Sequence, residues 1–195
     1  MNVLITGSSG YLGKELSSFL ESNGFGVVRC SRRKKKSSEL FYSIEDYKSF
    51  QVPKDIDAVI HLAALTQAKC TGKINDIEVA AAVDLCEKSV AQGCKFIFIS
   101  SLSAQDCSLT TYGKTKFEIE CRLIDKPNVF VVRPGLIYGG KPSGLYGSIV
   151  NLAKKLPIIP VFKPEPIIQI AIYCMYVVVL KKFANILEMN LVMLT

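Results

Sequence analysis

The sequence predicts an α/β protein on a doubly wound parallel sheet with helices on both faces, and three observations predict it. Apolar runs of strand length recur along the chain, helix-compatible segments alternate with them, and the first run feeds straight into a glycine turn that opens a helix. Continuous apolar strands of this kind are covered on both faces, which argues against a β-sandwich. At 195 residues and an apolar fraction of 49%, the chain is long enough to bury a sizeable core.

Residues 2–6 (NVLIT) form the first predicted strand, and Leu12, Leu16, Phe19 and Leu20 then recur at helical spacing until Asn23 and Gly24 end the helix. GVVRC, residues 26–30, is the second strand and completes a βαβ unit. Further strands are expected at 58–62 (AVIHL), 96–99 (FIFI) and 129–132 (VFVV). After Gly139 the composition turns loop-like, residues 145–156 fit a helix, and Pro157, Pro160, Pro164 and Pro166 break regular structure until Ile167. The apolar stretch from Ile167 to Leu180 contains Gln169 and is shorter than the ~20 residues a membrane span needs, so it is read as a core or interface segment. Residues 185–195 are compatible with one more strand.

The net charge of +7 suits an anionic partner such as a phosphorylated cofactor, a nucleotide or nucleic acid. Nucleic acid is not expected, because no basic stripe with interleaved aromatics, no zinc-ligand spacing and no RNA-binding motif is present. The run Lys34 to Lys36 reads as a solvated loop. No metal site is expected. Seven cysteines, an odd set without a Cys-x-x-Cys pair, with Cys86, Cys94 and Cys121 in apolar or helical stretches, suggest buried thiols in a reducing cytoplasm. The opening MNVLITG enters a strand at once, so no secretion signal is expected.

Gly7-Ser-Ser-Gly10-Tyr11-Leu12-Gly13 lies between strand and helix, where glycines permit a tight turn, close approach of a pyrophosphate and close helix packing. The expected ligand is a dinucleotide. At the end of the second strand, where an acid selects NAD, stand Ser31, Arg32 and Arg33, so NADP is favoured over NAD. Tyr112 and Lys116, four apart in a probable helix, share one face; an ammonium near a phenol lowers the phenol pKa and equips it for acid–base work. Just upstream, the FIFI strand ends in Ser100-Ser101-Leu102-Ser103, which puts hydroxyls at the edge where the cofactor is expected.

With these residues in place, the sequence resembles the extended short-chain dehydrogenases, the NAD(P)-dependent nucleotide-sugar epimerase and dehydratase family, over residues 2 to about 140. The resemblance implies a Rossmann-type fold, with Tyr112 as acid–base, Lys116 as its modulator and ribose ligand, and Ser101 as the substrate hydrogen-bond donor, Ser103 being the runner-up. VIHLAA brings Leu62, Ala63 and Ala64 against the cofactor and makes His61 a strand residue, while RPGLIYGG brings Pro134 near the nicotinamide. The family's structural Asn falls on Asn75 if about three residues are inserted, and on Glu78 otherwise, so it stays unassigned. A Rossmann domain at 1–140 and a truncated substrate region at 141–195 are expected.

The implied activity is hydride transfer on a nucleotide-linked sugar, by an epimerase, a dehydratase or a reductase; the missing acid beside Ser101 speaks against 4,6-dehydratases. The alternative is an NAD(P)-binding scaffold or sensor without turnover, or an inactive fragment of such an enzyme. The expected partner is the nucleotide sugar, and a homodimer is left open.

Overall fold

The computed structural model describes residues 1–32, 39–65, 73–137, 144–155 and 170–171. The chain divides into two compact units, Met1–Arg133 and Pro134–Thr195, whereas the sequence suggested a boundary after residue 140.

In the first unit a six-stranded sheet is built from β1 (Asn2–Thr6), β2 (Gly26–Ser31), β3 (Leu40–Phe41), β4 (Ala58–His61), β5 (Lys95–Ile99) and β6 (Val129–Val132), in the order β3-β2-β1-β4-β5-β6. Every pairing in it is parallel. The predicted doubly wound Rossmann-type sheet is therefore present. Its strand order reverses between β1 and β4, and at such a switch point the loops leave the strand C-termini in opposite directions and open a crevice.

Among the described residues, three helices cover this sheet: α1 (Tyr11–Ser22), α2 (Asp76–Ala91) and α3 (Thr111–Leu123). Strand side chains alternate between faces. Leu4, Val59, Phe96 and Phe98 join Leu85 of α2 and Ile119 and Leu123 of α3 in one buried cluster. The intervening Val3, Ile5, Ile60 and Ile97 turn to the opposite face, and α1 buries Leu16 and Leu20. Burial on both faces explains why these strands read as unbroken apolar runs. The α1 helix ends at Asn23, with Gly24 at a φ of 83°, as the sequence suggested. A 3-10 turn at Tyr47–Ser49 lies between β3 and β4.

In the second unit β7 (Leu136–Ile137) pairs in parallel with β8 (Ile170–Ala171), and α4 spans Gly144–Lys155. Most of the predicted core or interface segment and the strand expected at 185–195 lie outside the described residues. No described helix is long and apolar enough to cross a membrane.

Candidate active site

β1 leads into the glycine turn because Gly7 takes a φ of 70°, a conformation that side chains resist. A Cβ there would stand 2.9 Å from the Ala63 nitrogen, so the turn after β1 and the turn after β4 touch backbone to backbone. Gly13 serves a second approach, since its Cβ would lie 2.4 Å from the Gly7 carbonyl oxygen, which brings α1 down onto the turn. Gly10 caps α1 with an extended backbone and offers no side-chain hydrogen bond to the first helical amides. Tyr11, Leu12 and Gly13 form that first turn. An anion fits such a helix start, because the amides and the helix dipole both favour negative charge.

Thr6 joins the two turns. Its hydroxyl accepts the amides of Leu62 at 3.2 Å and Ala63 at 3.4 Å, and lies 2.8 Å from Nδ1 of His61. His61 is fully buried between neighbouring aromatic rings, with Phe96 and Phe98 stacked at ring distances of 6.1 and 6.0 Å. Burial first, then the nearby Lys116 charge, pushes its pKa down to about 3. It is a neutral strand residue and not a base at ordinary pH. Leu62, Ala63 and Ala64 are half-buried, and the first two lie against Gly7.

At the end of β2, Ser31 is buried and Arg32 is exposed, while Arg33 lies outside the described residues. Sequence reasoning missed Glu39, whose carboxylate comes within 3.5 Å of the Ser31 hydroxyl. It stands beyond the basic run, so only the pairing of Cys30 and Ser31 with β3 brings it back to the strand end.

Ser101, Ser103 and Tyr112 come together past β5. Ser101 and Ser103 share a hydrogen bond of 2.9 Å between their hydroxyls, and the Ser101 hydroxyl lies near enough to Tyr112 to act on its phenol. Helix α3 begins at Thr111 because the Thr110 hydroxyl accepts the Gly113 amide at 3.0 Å. Gly113 lets this helix start press on the preceding loop: a Cβ would stand 2.4 Å from the Ser103 carbonyl. Tyr112 keeps 37% exposure at this edge, whereas Lys116, one turn on, keeps 1%. The lysine nitrogen lies 4.6 Å from the Phe98 ring centre and 5.7 Å from that of Tyr112.

Electrostatically the pair differs from the sequence expectation. Burial, then the carboxylate of Glu78, hold the Tyr112 phenol above its usual range, against the nearby Ser101 hydroxyl, which works to lower it. Burial lowers Lys116, and Glu78 and Glu120 offset part of that. The expected depression of the phenol by Lys116 is thus not found: burial dominates, and Glu78, 3.6 Å from the ammonium, adds to the rise. Glu78 is the second residue sequence reasoning left unassigned. Asn75 is the N-cap of α2, accepting the Glu78 amide at 3.3 Å, and Glu78 itself turns inward. A charged residue within the buried stripe Val79, Ala82, Leu85 and Cys86 was the signal available for it.

Ser101, Tyr112 and Lys116 therefore converge at the C-terminal edge of the sheet that also carries the glycine turn. Pro134 opens the second unit.

Comparison with known proteins gives one family model, the RmlD substrate binding domain, which matches residues 1–165. A ceramide reductase of Caulobacter vibrioides is 30% identical over 170 residues, 82% of this chain and 53% of that protein. The chain thus spans about half the length of this curated relative. A dTDP-4-dehydrorhamnose reductase from Clostridium acetobutylicum superposes with a TM-score of 0.61 at 22% identity, over 80% of this chain and 60% of the other. The UDP-glucose 4-epimerase of Thermotoga maritima, solved with UDP-glucose, gives a TM-score of 0.60 at 23% identity, over 80% and 62%. Both solved structures share the fold.

Proposed function

The chain belongs to the RmlD substrate binding domain family, within the extended short-chain dehydrogenases, and from that premise we propose that it reduces a carbonyl group of a nucleotide-linked sugar with NADPH. The observation that carries this reading is that the half-exposed Tyr112 and the Lys116 nitrogen one helical turn behind it, 5.7 Å from its ring centre, stand with the Ser101 hydroxyl on the sheet edge that bears the glycine turn. The residues present fit a dinucleotide: a Cβ at Gly7 or Gly13 would collide with backbone, and the start of α1 has no side-chain cap to compete with a phosphate.

When bound, NADPH supplies the hydride. The chain's own residues do the rest. Ser101 donates a hydrogen bond to the carbonyl oxygen and orients it. Tyr112 gives its phenolic proton to that oxygen as negative charge develops. Lys116 holds the ribose. The Tyr112 phenol is protonated at neutral pH, the form that reduction requires of a proton donor. Arg32, exposed beyond β2, supports the phosphorylated cofactor through its paired donors.

A second substrate class has its own support. Leu109 is 91% exposed and Leu102 is exposed too, on the loop that carries Ser101 and leads to Tyr112, and the curated relative acts on ceramide. An apolar keto substrate would bury these side chains. The test is turnover of NADPH, followed at its absorbance band, against a panel of keto nucleotide sugars and keto sphingoid lipids. Consumption with the sugars alone supports the first reading, and with the lipids alone the second. NADPH binding with neither consumed supports a scaffold.

A further inference from the structure

We propose that Glu78 is a positioning residue that holds Lys116 charged and in place, and so forms a working part of the acid–base device. This rests on the reading of Lys116 as a reactive-site residue. Glu78 is buried in α2 among Val79, Ala81, Ala82 and Leu85. A carboxylate in such a stripe destabilises the fold unless it is paired and hydrogen-bonded.

Its two oxygens are engaged differently. Oε2 accepts the Leu65 amide at 3.0 Å, while Oε1 has no hydrogen-bond partner and faces the Lys116 nitrogen at 3.6 Å. The carboxylate is thus fixed by the loop after β4 and the start of α2, with its free oxygen presented to the lysine. One group thereby sets the position of both the Leu65 loop and the ammonium.

Lys116 has few other means of remaining charged. Of the groups around it, His61 on β4 is neutral, the Tyr112 phenol on α3 is protonated, and Glu120 on α3 is engaged by Arg133 through both oxygens. The Phe98 ring at 4.6 Å contributes a cation–π contact, which does not replace the lost hydration of a buried ammonium. Glu78 is left as the anion that faces the lysine without another cation, among the described residues. After burial, the same carboxylate also opposes ionisation of Tyr112, so it acts on both members of the pair.

The test reads the ionisation of Lys116 directly, by NMR titration of the full chain carrying isotope-labelled lysine, with the resonance assigned by its loss in Lys116→Met. Glu78→Gln keeps the volume and the oxygen that accepts from Leu65, and removes only the charge. Its Lys116 resonance should titrate lower than in the native chain by about one pH unit or more. Glu78→Asp, which restores the charge, should recover most of that shift. An unchanged titration in Glu78→Gln overturns the proposal, since a role confined to holding Leu65 survives this substitution. Where Glu78→Gln fails to fold, adding Lys116→Met should restore folding by removing the orphaned charge. Failure of that rescue also overturns it. The titration uses neither cofactor nor substrate, so its outcome is separate from whether the chain turns over.

Discussion

Gly13→Ala sets two effects of known sign against each other. In a helix interior, alanine is ordinarily favoured over glycine by about 1 kcal/mol. Here the new methyl would lie 2.4 Å from the Gly7 oxygen and 2.7 Å from Ser8 Cα, both backbone atoms. Neither has room to move: Gly7 holds the turn at a φ of 70°, and Ser8 is tied to the Cys30 carbonyl through its amide at 3.2 Å and its hydroxyl at 3.0 Å. Overpacking against fixed atoms costs roughly 1–3 kcal/mol, and an overlap this deep belongs in the upper part of that range. A net loss of about 1–2 kcal/mol follows, read as a lower urea midpoint at unchanged slope. Moving α1 off the turn should also weaken dinucleotide binding. Gly24→Ala supplies the reference: its φ is 83° but nothing lies within 4 Å, so only backbone strain of about 1 kcal/mol enters and binding is untouched. A Gly13→Ala chain as stable as the native one, with full dinucleotide affinity, would refute the close approach as the reason for this glycine.

Replacing Arg32 and Arg33 by Ala should weaken NADPH more than NADH, and Glu39→Gln should strengthen NADPH relative to NADH; calorimetry at fixed salt checks both, and equal affinity of the native chain for the two cofactors contradicts the selector. His61, the only histidine of the chain, has its folded pKa pushed down to about 3, so the unfolded chain binds the extra proton once pH falls below roughly 6.5. Stability from this group is complete above that value and should fall by up to about 1.4 kcal/mol per pH unit below it, while the imidazole resonance of the folded protein stays neutral. A folded-state titration near pH 6 would contradict this. Thr6→Val keeps the shape but removes the hydroxyl that accepts the Ala63 amide and pairs with His61 Nδ1, while the Leu62 amide keeps its bond to the Thr6 carbonyl, and should cost about 1–3 kcal/mol in chemical denaturation. No loss of stability would mean that Ala63 and His61 find other partners.

The sheet was legible where strands are buried on both faces, because β1, β4 and β5 then need apolar residues at every position and stand out as runs. β3 was not, since two residues paired to Cys30 and Ser31 carry no pattern of their own. The glycine turn could be read because Gly7 and Gly13 answer to steric demands that few other residues meet. Tyr112 and Lys116 were readable from helical spacing, but their electrostatics were not. The phenol is raised and not lowered because it is buried and because Glu78, remote in sequence, packs on the same lysine. Sequence spacing did not show what Asn75 and Glu78 do in the helix: Asn75 caps α2, and Glu78 reaches into the core.

The most direct measurement is single-turnover oxidation of NADPH by the native chain and by Tyr112→Phe, with NADPH affinity determined in parallel. Only the proton-donating hydroxyl is removed, and the ring stays on its helix. Dinucleotide affinity should change little, while the rate on whichever keto substrate the native chain reduces should drop by roughly 10²- to 10⁴-fold. Full activity in Tyr112→Phe, on a substrate that the native chain reduces, would contradict the assignment of Tyr112 as the proton donor.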